Sequence, residues 1–164
     1  MGSRSKTIAQ CGVLTAIALT IFMIEAQFPA PLPFPGAKLG LANAITLFTV
    51  YTLGVGWGGM ILLARIILGG IFAGQLLTML YSFAGGVVCL LVLCLLRPFT
   101  TPRDFWYVSP LSAMGHNFGQ ILVASFIMGS DVIYYYLPYL MLLGAFSGLL
   151  VGIATREVIR RLPD

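Results

Sequence analysis

The sequence predicts an all-α fold, a polytopic membrane bundle of about six transmembrane helices, on three observations. Of its 164 residues 59% are hydrophobic and only 9% charged, the mean hydropathy is +0.99, and the apolar runs are near bilayer length, broken by Gly, Pro or charged residues. Soluble domains carry about 25% charged residues, so too little polar surface exists here to clothe a globule in water. No hydrophilic stretch is long enough to fold separately, which makes residues 1–164 a single integral membrane domain.

A spanning helix needs about 20 apolar residues, and that length divides the chain into Ile8–Phe28, Leu39–Leu53, Trp57–Phe72, Leu76–Leu96, Leu111–Met128 and Ile133–Thr155. Arg4 and Lys6 before the first run resemble the flank of a signal peptide. The run is longer than a typical signal core and further spans follow, so it reads as the first transmembrane helix. Only Gly54-Val55-Gly56 separates the short second and third segments, which six spans or a re-entrant pair would both accommodate. Between the first two segments, Pro29, Pro31, Pro33 and Pro35 alternate with other residues, an extended, stiff connector or a lid over an outward-facing pocket.

Charge sets the topology. With both termini in the cytoplasm of a multi-pass cell-membrane protein, Arg4, Lys6, Arg97, Arg103, Arg156, Arg160 and Arg161 all fall inside and Lys38 outside, a strong positive-inside bias. Phe105, Trp106 and Tyr107 then anchor the inner interface, and Tyr134, Tyr135 and Tyr136 the outer one. The net charge of +4 follows from this arrangement and not from a clustered basic face, so no nucleic-acid partner is expected.

Arg65 stands mid-way along the third span. A guanidinium there costs about 2.5 kcal/mol or more on insertion scales, so it should face the bundle interior. Glu25 is the one acid within a span; an ion pair between the two, or recognition of an anionic or polar ligand by Arg65, are the alternatives. In the fifth span His116, Asn117 and Gln120 form a polar stripe at helical spacing, suited to interhelical hydrogen bonds or to a ligand-binding wall. Lys38 and Asn43 sit at the start of the second span, Gln75 and Tyr81 about the start of the fourth.

Small residues recur four apart. Gly115 and Gly119, and Gly144, Gly148 and Gly152, suit close internal packing, whereas Gly12, Ala16 and Thr20 on the first helix offer a small face to a partner subunit. Cys11, Cys89 and Cys94 lack CxxC spacing and read as core filling, with no metal site. No nucleotide-binding loop or dinucleotide fingerprint occurs, so no cofactor is expected. The five acids, Glu25, Asp104, Asp131, Glu157 and Asp164, are scattered, which argues against self-sufficient magnesium-dependent diphosphate chemistry, and the chain reads as a non-enzyme.

The segments Pro35-Gly36-Ala37-Lys38-Leu39-Gly40-Leu41-Ala42-Asn43, Ala64-Arg65-Ile66, Tyr81-Ser82-Phe83-Ala84-Gly85-Gly86 and Gly115-His116-Asn117-Phe118-Gly119-Gln120 resemble the Gx transporter family, also labelled heptaprenyl diphosphate synthase component I. In its six-helix layout the chain is similar to the S-components of energy-coupling factor vitamin transporters. The resemblance implies a membrane-embedded substrate-binding subunit, taking up a small vitamin-like or isoprenoid- or quinone-related molecule and energised by ATPase and transmembrane coupling subunits. It points to Lys38, Asn43, Arg65, Tyr81, His116, Asn117 and Gln120 as substrate-binding positions. The alternative is an accessory membrane subunit of heptaprenyl diphosphate or quinone biosynthesis.

Overall fold

The computed structural model describes residues 2–27, 40–74 and 76–162. Among them are six α-helices and no strand: α1 (Gly2–Glu25), α2 (Asn43–Thr52), α3 (Val55–Ala73), α4 (Leu76–Leu96), α5 (Phe105–Met128) and α6 (Leu137–Arg160). In a bilayer every backbone group must be satisfied within the protein, which is why apolar runs of this length fold as helices. Among the described residues four stretches, Arg4–Glu25, Val55–Ala73, Leu76–Phe99 and Asp131–Arg160, combine the length and hydropathy needed to cross a membrane. Helix α5 has 24 residues, and it is the helix that carries His116, Asn117 and Gln120.

The expected segments coincide with the helices, with shifts at their ends. Helix α4 has the predicted limits. Helix α5 starts earlier, because Phe105 and Val108 are fully buried and Pro110 is accommodated inside the helix. Helix α2 has only 10 residues, about 15 Å of rise, half a bilayer. It folds back on α3, where a Cβ at Gly58 would meet Val50 Cγ2 at 2.6 Å. The proline-rich segment, Lys38 and Gln75 lie outside the described residues.

Glycines set the spacing of α4, α5 and α6. A Cβ at Gly119 would meet Ala84 O at 2.7 Å, one at Gly148 would meet Pro110 Cα at 2.7 Å, and one at Gly152 would strike Phe105 O. These contacts are with backbone, so the helices approach only because no side chain intervenes. At Gly129, φ of +60° ends α5 in the left-handed conformation that glycine adopts without strain. Cys89 is buried in the core with Leu47, Leu93 and Phe105, whereas Cys94 is exposed and Cys11 half-buried.

The basic ends meet. Leu162 lines a cavity with Ala9 and Gln10 of α1, Thr101 and Arg103 line another with Arg156 and Arg160 of α6, and Tyr51 at the end of α2 shares a hydrogen bond with Thr100. The start of α1, the end of α2, the α4–α5 connection and the end of α6 therefore occupy one end of the bundle. Glu25 and Asn43 lie at the other ends of their helices.

Candidate functional site

The site grows from the turn that starts α2. Gly40 has φ of +76°, a conformation that suits glycine, and its N–H donates to Glu25 Oε1 at the end of α1 at 2.6 Å. Its carbonyl accepts from Asn43 N at 2.9 Å, closing the first turn of α2. The Asn43 side chain then points into the bundle, where its Oδ1 accepts from Arg65 Nη2 at 3.4 Å. Arg65 projects from α3, with Phe22 of α1 below its guanidinium at 5.8 Å from the ring centroid, a cation–π distance. The buried acid and the buried base are thus joined through one short turn: Glu25 holds its backbone and Arg65 its side chain.

Helix α5 reaches the same turn from the opposite side. A Cβ at Gly40 would lie 3.0 Å from Asn43 Nδ2 and 4.0 Å from His116 Cδ2. Gly85 of α4 lets α5 come close, because a Cβ there would meet His116 Nδ1 at 2.8 Å and Gln120 Cγ at 2.9 Å. Asn43, Arg65, His116 and Gln120 are all buried, and four of their atoms, Asn43 Nδ2, Arg65 Nε, His116 Nδ1 and Gln120 Nε2, have no hydrogen-bond partner among the described residues. An unpaired buried polar group costs about 1–3 kcal/mol. Buried groups of this kind in a native fold call for an explanation such as an ion, a water or a ligand.

The remaining sequence candidates separate by position. Asn117 turns from His116 and Gln120 toward α6 and donates from Nδ2 to Leu140 O at 2.7 Å, with Gly144 giving it room. Tyr81 is buried with Ile121, Ala124, Ile133 and Leu140 where α4, α5 and α6 meet. Gly12, Ala16 and Thr20 lie exposed along α1, the Thr20 hydroxyl donating to Ala16 O at 2.9 Å, while Ala18 and Phe22 on the same helix are buried. Sequence reading did not single out Phe22, Gly40 or Gly85 as individual parts of the site; the Gly85-Gly86 pair in an apolar run was the available signal for close approach. Among the described residues no three His, Cys, Asp or Glu side chains stand together in a way that would hold a metal ion.

The arrangement is rich in N–H groups. Arg65 supplies a planar fork with a permanent charge, Asn43 and Gln120 supply amides, and His116 supplies a nitrogen that either donates or accepts according to its tautomer. A carbonyl, carboxylate or phosphoryl oxygen is the complementary guest.

Comparison with known proteins agrees with the motifs. A family model for heptaprenyl diphosphate synthase component I matches residues 14–158. No curated protein and no solved structure matches significantly. The match covers the second half of α1, all of α2 to α5, nearly all of α6 and every described residue of the Arg65 cluster, and the chain belongs to the heptaprenyl diphosphate synthase component I family.

Proposed function

We propose that this chain is the non-catalytic membrane component of a prenyl diphosphate synthase, acting with another synthase component that carries the chemistry. The family match supports the subunit role. The observation that carries the binding role is the set of four buried polar atoms around Arg65 that have no hydrogen-bond partner among the described residues. In this reading Arg65, Asn43, His116 and Gln120 hold an oxygen-rich head of an isoprenoid-related molecule, while the surrounding helices accept its apolar part. Lys38, which lies outside the described residues, is a further candidate for binding the same head, Tyr81 closes the apolar side, and Asn117 keeps α5 and α6 in register so that His116 and Gln120 face the turn at Gly40. The exposed face of Gly12, Ala16 and Thr20 docks the partner.

Isolation of the complex in mild detergent, followed by mass spectrometry of its proteins and small molecules, tests the proposal. Recovery of a prenyltransferase that fails to co-purify with a Gly12→Leu variant is the expected result. A second reading, a binding subunit for uptake, is favoured by one observation: Glu25 and Asn43 lie at the helix ends away from the basic end, which the positive-inside rule would turn outward. Recovery of ATPase and transmembrane coupling subunits in the same experiment selects that reading instead.

A further inference from the structure

At the basic end, the α4–α5 connection and the last turns of α6 enclose a cavity of about 530 Å³. Thr101, Pro102, Arg103, Arg156, Ile159 and Arg160 line it, so among the described residues the lining holds three guanidinium groups and no carboxylate. Of the acids nearest in sequence, Glu157 pairs with one arginine of the lining, Arg160, and with Arg161, while Asp104 is held by Thr101. Glu157 Oε1 accepts from Arg160 Nη2 at 3.0 Å and from Arg161 Nε at 2.9 Å. Asp104 Oδ2 accepts from Thr101 N at 2.8 Å and Thr101 Oγ1 at 2.9 Å. Both salt bridges among the described residues are made by Glu157, with Arg160 and Arg161, so Arg103 and Arg156 make no salt bridge among them and interact with Asp104 and Glu157 only at longer range.

Guanidinium groups converging on a concavity concentrate anions, and their paired N–H groups match phosphoryl oxygens in geometry. Pro102 and Ile159 add an apolar wall, and the exposed rings of Phe99 and Trp106 lie beside the same connection, as aromatic residues do at a membrane surface. We propose that this cavity is a second binding site, for a phosphate ester carried on an apolar tail at the membrane surface. An anionic phospholipid headgroup and an isoprenoid diphosphate share that chemistry. Basic pockets between membrane helices on the cytoplasmic side are suited to such headgroups. The site is separate from the Arg65 cluster and does not depend on the role proposed for it.

The test uses the full chain with Trp57→Phe, which leaves Trp106 as its sole tryptophan. It is reconstituted into phosphatidylcholine vesicles containing either brominated phosphatidylglycerol or brominated phosphatidylcholine, and tryptophan quenching is read against lipid fraction. Binding of inorganic diphosphate to the same vesicles is read by calorimetry. The expected result is preferential quenching by the anionic lipid or a heat of diphosphate binding, the first assigning the site to a lipid headgroup and the second to a soluble diphosphate. Either signal should weaken about fivefold for each arginine removed in Arg103→Gln and Arg156→Gln. Arg4→Gln with Lys6→Gln, at the same end but outside the cavity, should leave it unchanged. Absence of both signals, or equal weakening by that control, overturns the proposal.

Discussion

Arg65 and Asn43, 22 residues apart in sequence, share a buried hydrogen bond of 3.4 Å from Nη2 to Oδ1. The bond fixes the amide of Asn43 with its oxygen toward α3, so that its nitrogen faces the interior with no partner among the described residues, as do Arg65 Nε, His116 Nδ1 and Gln120 Nε2. If these groups exist to bind a guest, removing the charge should harm function and spare the fold.

Arg65→Met is the direct test of that separation. An intramembrane arginine costs about 2.5–3.5 kcal/mol on insertion scales, and methionine fills a similar length without charge. The variant should insert and melt no lower than the parent, while ligand binding and support of product formation are lost. A variant that fails to fold would assign Arg65 a structural role.

Asn117→Ala should behave in the opposite way. Its amide ties α5 to α6 through Leu140 O, and interhelical bonds of this kind contribute about 0.6–2 kcal/mol in membranes. Denaturation in mixed detergent should show a loss of that size, with binding reduced only as far as α5 is displaced.

Two glycines four apart from other small residues should respond differently to a methyl group. Gly148→Ala drives a Cβ against the backbone of Ser109 and Pro110 at 2.7–2.8 Å and should cost about 1–3 kcal/mol. Gly12 has nothing within 4 Å, so Gly12→Ala should leave the melting temperature unchanged, and the larger Gly12→Leu should reduce only partner recovery.

The Asp104 carboxyl is held below its ordinary value of 3.8, chiefly by the backbone N–H of Thr101 and then by the Thr101 hydroxyl. A lowered value means that the carboxylate stabilises the fold fully above pH 3.8, and that this contribution is lost as pH falls through the lower folded value. Hydrogen exchange at the Thr101 amide should therefore accelerate in that acid range relative to neighbouring amides. In Asp104→Asn the acid-dependent change should be absent.

Much of the helix layout was legible because lipid permits few alternatives for a long apolar run: Leu76–Leu96 is the same in sequence and structure. Helix α5 begins at Phe105, ahead of its apolar run, because packing against α2 and α6 buries Phe105 and Val108 despite Pro110 between the predicted and observed starts. Helix α2 is shorter than its apolar segment because the turn at Gly40 to Ala42 belongs to the site. Within the site, Arg65, His116 and Gln120 stood out as polar residues in apolar surroundings. The bond from Arg65 to Asn43 depends on how closely Gly58 lets α2 and α3 approach, and the turning of Asn117 to α6 while His116 faces α4 depends on Gly85 and Gly144. Helical spacing alone carries no such information.

The proposed role of the Arg65 cluster is to bind an isoprenoid-related molecule for prenyl diphosphate synthesis. The most direct measurement is long-chain prenyl diphosphate formation in vesicles holding the partner synthase component alone, with this chain, or with its Arg65→Met variant. Product should form only with the parent chain, and should be lost with a variant that is folded and still bound to its partner. Equal product formation without this chain, or with the Arg65→Met variant, would rule that role out.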